Sequence, residues 1–486
     1  MNFEELFDGI AYKLAKGSAR DASHFEIEHV TTSPKDNMQN MAFIATVTPL
    51  IDGHDLLGTA YDKGCRLFVC EREATLPHDA VVLICPSTSQ LLGTLASRVY
   101  GYPERKLTLV GITGSVGKSS VALMTAQLLC ATGRRAAAIV TDGVFCDGVM
   151  NRADAEVPDA AGLRRIFANM CQNGVEYVVL ELSAYQLAHG AADGLDFAAV
   201  ALTDLVECHV GEGEFADFSA YRAAKERLMV ARAALAILPV GVDMLTTGRV
   251  CRVGEGGDVF AKNVVPDVDS KGMPGVRFTL YHGQEKSTAF VGIPAPFAAQ
   301  NAVFASCIAR SLGLTQRVIN ARLPRICAMG RLERVLAFDG RQVYIDSAYE
   351  ACDVSRALDA LAPYAMARLS VVVGAVGGRS YKRRALLAHA LDKYADFAYL
   401  TADDPDMEDP CAICEEIRHA MREQDRCCII ADRKEAIERA VRDMRAGDVL
   451  LVTGKGNDET QLIMGVRQPF CEREILRSAV EKTKSR

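Results

Sequence analysis

A glycine-rich stretch, "GITGSVGKSS" at residues 111–120, carries the residue types that bind the phosphates of a nucleotide. In such loops backbone N–H groups surround the phosphates, a lysine reaches the β- and γ-oxygens, and a hydroxyl binds Mg²⁺. Gly111 lies six positions before Gly117, whereas the common phosphate-loop pattern has about five. The candidate nucleotide-binding residues are Gly114, Ser115, Gly117, Lys118, Ser119 and Ser120.

The segments around this stretch predict the elements that must position it. "LTLVGIT" (107–113) is typical of a buried strand, and "SSVALMTAQLLCATG" (119–133) of a helix that Gly133 ends. "AAAIVTDG" (136–143) predicts the next strand. Strand, loop, helix and strand form a βαβ unit, the context that separates a phosphate loop from a glycine turn beside a lysine.

The rest of the chain predicts more parallel sheet. Residues 175–183 and 197–205 read as two further strands of the same domain. After about residue 335 the pattern restarts, with strands that end in glycine or acidic residues and alternate with helices. These strands are predicted at 370–378, 396–404, 427–433 and 447–456. In a doubly wound domain of this kind, ligands bind at the carboxyl ends of the strands.

Length and composition bound the architecture. A chain of 486 residues exceeds what one hydrophobic core supports. We predict an α/β fold of three domains. They are a small N-terminal α/β domain (1–105), a central P-loop ATPase domain with a mostly parallel sheet (106–330), and a C-terminal Rossmann-like domain (331–486).

Charge and apolar pattern indicate what the protein does not bind. The formal net charge of −7 argues against nucleic acid as a partner, and no apolar stretch is long enough for membrane insertion. The N-terminus lacks the plan of a signal peptide, so we predict a cytoplasmic location. We also predict that the protein is a monomer. The C-x-x-C of Cys411 and Cys414 has no second pair at zinc spacing, which disfavours a metal or redox site there.

The glycine-rich stretch resembles the ATP loop of the Mur ligases, G-x-T-G-T-N-G-K-T, which has the same offset between its first and last glycines. The resemblance runs over almost the full length and is strongest to the branch that adds the third amino acid of the muramoyl peptide. The other segments similar to family motifs lie at 51–64, 176–187, 221–229, 300–306, 329–335, 400–410 and 447–458.

This resemblance implies an ATP-dependent amide ligase of peptidoglycan assembly. The acceptor, a UDP-N-acetylmuramoyl dipeptide, would react with ATP to give an acyl phosphate, and the amine of an amino acid would then displace phosphate. Two alternatives stay open: a ligase acting on another carboxylate acceptor, such as a folate or a different peptide, and a non-catalytic nucleotide-binding paralogue. The family motifs are altered at Val116, Ala184, Tyr185, Cys208, Gly211, Tyr349 and 156–159.

The resemblance also implies roles for single residues. Lys118, His209 and Lys225 are the expected catalytic residues, with Lys225 matching a lysine that becomes carbamylated in the family. Ser119, Glu181, His209 and the modified Lys225 are the expected Mg²⁺ ligands. Without the resemblance, a strand-end glutamate would be a surface residue and a helical lysine would face solvent.

The remaining expected contacts divide between nucleotide and substrates. Asn301 would contact the base, while Arg331 and Asp346 would contact ATP when the last domain closes. The expected substrate-binding residues are Ser183, Arg379, Asp403, Asp404, Asp406 and Lys455. Asp406 replaces the arginine of the family's D-N-P-R motif, which predicts a basic amino acid, lysine or ornithine, rather than diaminopimelate. The alternative is that Asp406 only caps a turn.

Overall fold

The structure, a computed structural model, describes residues 1–48, 51–151, 158–206, 211 and 215–484. The chain separates into two compact units. The first contains Met1–Phe260, Tyr281–Gln284 and Val303–Ile319, and the second contains Ala261–Leu280, Glu285–Ala302 and Asn320–Arg486. Among the described residues, every helix is too short or too polar to cross a lipid bilayer.

The N-terminal region is a small α/β domain, as the sequence predicts. Its sheet has the order β1-β5-β4-β3-β2, and only the β1–β5 pair is antiparallel. Its elements are α1 (Phe3–Phe7), β1 (Lys13–Lys16), α2 (Ala19–Ala22), β2 (His29–Thr31), β3 (Met41–Ile44), α3 (Leu57–Asp62), β4 (Leu67–Cys70), β5 (Val81–Ile84) and α4 (Thr88–Val99).

The central region contains the predicted P-loop domain. Its sheet runs β13-β12-β11-β6-β10-β7-β8-β9, with parallel pairs from β13 to β7 and an antiparallel edge formed by β8 and β9. The elements are β6 (Thr108–Thr113), α5 (Lys118–Cys130), β7 (Ala136–Val140), β8 (Gly143–Cys146), β9 (Val149–Asn151), α6 (Ala160–Gln172), β10 (Tyr177–Glu181), α7 (Ala184–Ala188), β11 (Phe197–Leu202), α8 (Phe218–Met229), β12 (Ala233–Pro239) and β13 (Arg249–Val253). The predicted strand–loop–helix–strand unit is confirmed as β6, α5 and β7.

Gly111 has a packing role within β6 rather than a role in the loop. A Cβ atom at Gly111 would lie 2.8 Å from Cδ1 of Leu228, which belongs to α8. The missing side chain therefore lets α8 pack closely on the central strand. The turn itself depends on Gly114 and Gly117, whose positive φ angles of +151° and +83° suit glycine.

A connecting region of strands and helices follows the central sheet. Its elements are β14 (Val259–Val268), β15 (Pro274–His282), β16 (Glu285–Val291), α9 (Phe297–Ser311) and α10 (Gln316–Arg322). The sequence pattern did not predict these strands, because β14 is largely exposed and lacks a strong apolar alternation.

The C-terminal domain is the second doubly wound domain. Its sheet order is β17-β18-β22-β19-β20-β21, with all pairs parallel except β17–β18. Its elements are β17 (Glu333–Phe338), β18 (Arg341–Asp346), α11 (Ala351–Leu361), β19 (Leu369–Val373), α12 (Tyr381–Tyr394), β20 (Phe397–Leu400), α13 (Pro410–Ala420), β21 (Cys427–Ile429), α14 (Arg433–Asp443), β22 (Val449–Thr453), β23 (Thr460–Ile463), β24 (Val466–Pro469) and α15 (Glu472–Lys484). The four predicted strands are confirmed as β19 to β22.

The fold is thus α/β, with a small N-terminal domain, a central P-loop domain and a C-terminal Rossmann-like domain. The domain boundaries at residues 105 and 330 stay a prediction. In the C-terminal domain, the strands that meet at one edge of the sheet end next to most of the substrate-binding candidates, as expected for parallel strands.

Candidate active site

The lysine of the phosphate loop faces a carboxylate at the end of a neighbouring strand. Lys118 Nζ donates to the carbonyl oxygen of Ser115 at 3.1 Å and lies 4.0 Å from Oε1 of Glu181. Glu181 ends β10 and is only 7% exposed, so the alternative of a surface glutamate is wrong. Thr141 donates to both oxygens of this carboxylate, through its N–H and its Oγ1, each at 3.0 Å.

The glycines of the loop permit a close approach that no side chain would. A Cβ at Gly114 would lie 1.9 Å from Oγ1 of Thr203, which follows β11. Gly117 is the N-cap of α5, and Ser119 in the first turn of that helix is 8% exposed. The loop therefore places backbone N–H groups and a hydroxyl at the positive end of a helix dipole, a favourable place for phosphate.

Asp204 belongs to this site, although the sequence did not single it out. Its Oδ1 accepts hydrogen bonds from the N–H groups of Ser115 at 2.5 Å and Val116 at 2.9 Å. Thr203 Oγ1 donates to the Val116 carbonyl at 2.6 Å, and Ser115 Oγ donates to the carbonyl of Val206 at 3.0 Å. The segment after β11 therefore fixes the apex of the phosphate loop, which Ser115 and Val116 form. Its only sequence signal is a carboxylate at the end of a strand.

Lys225 is buried in α8 near the same loop. Its side chain is 1% exposed, so the alternative of a solvent-facing helical lysine is wrong. Lys225 Nζ lies 4.5 Å from the ring centroid of Tyr221, whose hydroxyl lies 3.0 Å from Oγ of Ser115. One helix thus carries both the candidate for carbamylation and a direct contact to the phosphate loop.

The donors around Lys118 fit a magnesium ion. Mg²⁺ prefers oxygen ligands and is usually bound by one or two carboxylates together with substrate phosphates and water. The buried Glu181 carboxylate and the Ser119 hydroxyl are donors of that kind. No group of three His, Cys, Asp or Glu side chains that could hold a metal ion is found among the residues that the structure describes. His209 and Cys208 lie outside the described residues.

Three of the substrate-binding candidates meet in the C-terminal domain. Lys455 is 3% exposed, donates from Nζ to Oδ1 of Asp404, and lies 3.4 Å from Oδ1 of Asp403. Gly454 is required beside it, because a Cβ there would lie 2.6 Å from Oδ2 of Asp403. The turns after β20 and β22 therefore form one charged cluster.

A buried ion pair holds the two turns of this cluster in place, and the sequence did not predict it. Arg433 Nε donates to Oε1 of Glu472 at 2.9 Å, and its terminal nitrogens donate to the carbonyls of Ala402 at 3.1 Å and Thr453 at 2.7 Å. Those carbonyls directly precede the acidic pair and the lysine turn. Burial raises the pKa of the Glu472 carboxyl, and the adjacent guanidinium opposes that rise. Removal of one partner from such a pair typically costs about 3–5 kcal/mol.

Asp406 lies in a turn next to this cluster. Its φ angle is +50°, and its Oδ1 accepts from the N–H of Gly465 at 2.9 Å. The carboxylate therefore contacts the β23–β24 turn, as the turn-capping alternative expects. Arg379 is exposed in the loop after β19, and that loop packs closely on the Asp406 segment, since a Cβ at Gly377 would lie 2.0 Å from the Pro405 carbonyl oxygen.

Asp346 shapes the turn that carries Arg331. Its oxygens accept from the N–H groups of Leu332 at 2.6 Å and Ala348 at 2.7 Å. Leu332 has a φ angle of +46°, an uncommon conformation for a bulky residue that this hydrogen bond stabilises. Burial raises the pKa of Asp346 to about 6, against the lowering effect of the two N–H groups. Arg331 itself is exposed.

Two further candidates lie in helices. Ser183 is the N-cap of α7, where its Oγ accepts from the N–H of Gln186 at 3.1 Å. Asn301 lies in α9 and is half-buried. Near Ser183, Tyr185 is 41% exposed and its ring lies 4.2 Å from that of His189.

Comparison with known families agrees with this geometry. Residues 112–309 match the protein family described as Mur ligase middle domain, and residues 330–456 match the one described as Mur ligase, glutamate ligase domain. Together the two matches span about two thirds of the sequence. The chain belongs to the Mur ligase family.

Individual Mur ligases resemble the chain from end to end. A UDP-N-acetylmuramoyl-L-alanyl-D-glutamate–2,6-diaminopimelate ligase from Caldanaerobacter subterraneus subsp. tengcongensis is 28% identical over 99% of this chain and 100% of that protein. The ligase of the same name from Rhizobium meliloti is 29% identical over 95% of each chain. A solved structure of a ligase with this name superposes with a TM-score of 0.69 and 21% identity, covering 100% of this chain and 99% of that one, which shows the shared fold.

Proposed function

We propose that this Mur ligase is an ATP-dependent amide ligase that joins a diamino acid to UDP-N-acetylmuramoyl-L-alanyl-D-glutamate. The observation that carries the proposal is the phosphate loop in which Lys118 faces the buried carboxylate of Glu181. End-to-end similarity to relatives named for that acceptor supports the choice of acceptor. The cytoplasmic location and the monomeric state stay predictions.

The central domain performs the activation half of the reaction. The acceptor carboxylate attacks the γ-phosphorus of ATP, and ADP leaves as an acyl phosphate forms. Lys118 neutralises charge on the β- and γ-phosphates, and the N–H groups at the start of α5 bind them. Ser119 and Glu181 hold Mg²⁺, which when bound screens the charge of the two reacting anions.

Lys225 takes part in this half as a carbamate. The ammonium of an unmodified Lys225 beside Tyr221 would repel a metal ion, whereas a carbamate presents anionic oxygens. The burial of Lys225 supports this role, because exclusion of water helps to preserve the modification. His209 supplies a further ligand in this proposal, on the basis of its motif alone.

The C-terminal domain supplies the amine. The carboxylates of Asp403 and Asp404 attract the ammonium groups of an incoming amino acid, and Lys455 and Arg379 bind its carboxylate. Attack of the deprotonated amine on the acyl carbon forms the amide bond and releases phosphate. Asn301, Arg331 and Asp346 serve the nucleotide, with Asp346 acting through the turn that it shapes.

Asp406 selects the amino acid in this proposal. A second carboxylate, such as that of diaminopimelate, would be repelled by Asp406, whereas a terminal ammonium would be attracted. We therefore propose lysine or ornithine as the substrate, in contrast to the relatives named as diaminopimelate ligases.

A second candidate function is ligation to a different carboxylate acceptor. It rests on Tyr185, which is exposed at a position where the family motif is altered, near the candidate substrate-binding residue Ser183. The third possibility, a non-catalytic paralogue, is disfavoured by the burial of Glu181 and Lys225 beside an intact Gly-Lys-Ser core.

Product analysis tests these assignments. The purified protein is incubated with ATP, Mg²⁺, UDP-N-acetylmuramoyl-L-alanyl-D-glutamate and lysine, ornithine or meso-diaminopimelate, and the products are identified by mass spectrometry. We expect the lysine or ornithine adduct, and none with a Lys118→Ala variant. ATP consumption with an acceptor other than the muramoyl dipeptide would favour the second candidate.

A further inference from the structure

A carboxylate lies directly against the apex of the phosphate loop. Oδ1 of Asp204 accepts both apex N–H groups, from Ser115 at 2.5 Å and from Val116 at 2.9 Å. A single oxygen that accepts two backbone donors at these distances forms charge-assisted hydrogen bonds, which are stronger than neutral ones. Asp204 is therefore a fixed part of the loop rather than a surface acid nearby.

This contact divides the loop into two parts. The N–H groups of Ser115 and Val116 are already bonded within the protein, so they do not point freely at a phosphate. The N–H groups from Gly117 onward lie at the start of α5, where the unpaired donors of a helix point outward. Phosphate binding thus depends on the helix start and on Lys118.

The contact also changes the charge that an incoming nucleotide meets. Lys118 is one cation, and Glu181 with Oε1 4.0 Å away is already one anion beside it. Asp204 adds a second anion at the same loop. A free nucleotide brings several further negative charges, which these carboxylates repel, whereas a bound divalent cation offsets part of that charge.

We propose that Asp204 positions the apex of the loop and makes this site select the Mg²⁺-bound nucleotide over free nucleotide. The inference rests on the proposed ATP-dependent function and adds to it the residue that sets this selectivity. An asparagine at this position would supply an amide oxygen to the same two N–H groups without the charge. The Asp204→Asn substitution therefore separates the effect of the acceptor's position from the effect of its charge.

The test measures ADP binding by calorimetry, once with excess Mg²⁺ and once with EDTA, for the full-length protein. The quantity compared is the ratio of the two dissociation constants for ADP, the value in EDTA divided by the value with Mg²⁺. Asp204→Asn keeps the acceptor oxygen, so we expect its affinity for ADP with Mg²⁺ to be close to that of the unaltered protein. Its binding of free ADP should tighten, which lowers the ratio about tenfold.

Two further variants separate charge from loop geometry. Asp204→Ala removes both, so the ratio should fall as in Asp204→Asn while binding weakens under both conditions. Asp147→Asn, an exposed aspartate of the same domain, should leave the ratio unchanged. Unfolding temperatures of all variants show whether the fold is retained.

The outcomes separate this inference from the proposed function. Equal ratios in the unaltered protein and Asp204→Asn would overturn the charge selection. Loss of Mg²⁺-dependent binding in a folded Asp204→Asn variant would overturn it as well, because it would make Asp204 a metal ligand. If the unaltered protein binds ADP under neither condition, the proposed ATP site fails together with the inference.

Discussion

Lys118 Nζ lies 4.0 Å from Oε1 of Glu181, at the end of two paired strands of the central sheet. Thr141 fixes the carboxylate, and the Ser115 carbonyl accepts a hydrogen bond from the ammonium. The pair is partly buried and its charges are balanced before any ligand is present. In the proposed function, a phosphate that binds here would give Lys118 a new partner and leave the carboxylate available to a metal ion.

Lys118→Ala tests the role of this lysine in catalysis. Loss of a cation at the β- and γ-phosphates should lower kcat/KM for ATP about a hundredfold or more. The unfolding temperature should change little, because the side chain belongs to a ligand site. Lys106→Ala, an exposed lysine of the same region, is the matched control and should behave as the unaltered protein. Equal turnover in both variants would refute the assignment.

Lys225→Ala tests the carbamate. The variant should be nearly inactive, since it lacks the anionic oxygens that the modified side chain supplies, and short-chain carboxylates should restore part of the activity. In the unaltered protein, labelled bicarbonate should give a carbamate carbon signal in NMR that is absent from Lys225→Ala. The exposed Lys286→Ala is the control. A carbamate signal that persists in Lys225→Ala would place the modification elsewhere.

Substitutions at Asp406 test the selection of the amino acid. Asp406→Asn removes the charge and suits the positive φ angle of this position, so the preference for lysine over meso-diaminopimelate should decrease. Asp406→Arg should lower it further and admit diaminopimelate. Asp425→Arg, an exposed acid of the same domain, controls for general charge effects. Better ligation of diaminopimelate than of lysine by the unaltered protein would contradict the assignment.

Asp346 predicts a pH dependence of stability. Burial raises the pKa of this carboxyl from 3.8 to about 6, so the folded state binds the proton more tightly than the unfolded state. Its contribution to the free energy of unfolding is full below pH 3.8 and is lost as the pH rises to about 6. Relative to Asp346→Asn, the unaltered protein should therefore lose about 1 kcal/mol between pH 5 and 7 in urea unfolding. If the free energies of unfolding of the unaltered protein and of Asp346→Asn change with pH in parallel, Asp346 does not titrate in this range. The control is Asp359→Asn, which replaces an exposed aspartate.

The local parts of the fold follow from the sequence. The apolar run of β6, the glycines after it and the apolar helix α5 predict the phosphate loop because each signal lies within a few neighbouring residues. The position of Glu181 at a strand end was predictable for the same reason. The four strands that the sequence predicts in the last domain, β19 to β22, also end in the predicted glycine or acidic turns.

The contacts that join distant segments were not predictable. Asp204 meets Ser115 across 89 residues, and Arg433 meets Glu472 across 39. Only tertiary packing decides such pairs, since a strand-end aspartate or a helical arginine is common on protein surfaces. Burial of Lys225 likewise depends on how α8 packs on β6, where Gly111 leaves room for Leu228. The sequence alone, without that packing, predicts a lysine side chain that is exposed to solvent.

The most direct test of the central claim is phosphate release from ATP as the substrates are added one at a time. We predict that release requires Mg²⁺, UDP-N-acetylmuramoyl-L-alanyl-D-glutamate and lysine or ornithine together, with one phosphate formed for each amide bond. Release that does not depend on the muramoyl dipeptide, or a full set of substrates that yields neither phosphate nor amide product, would contradict the account.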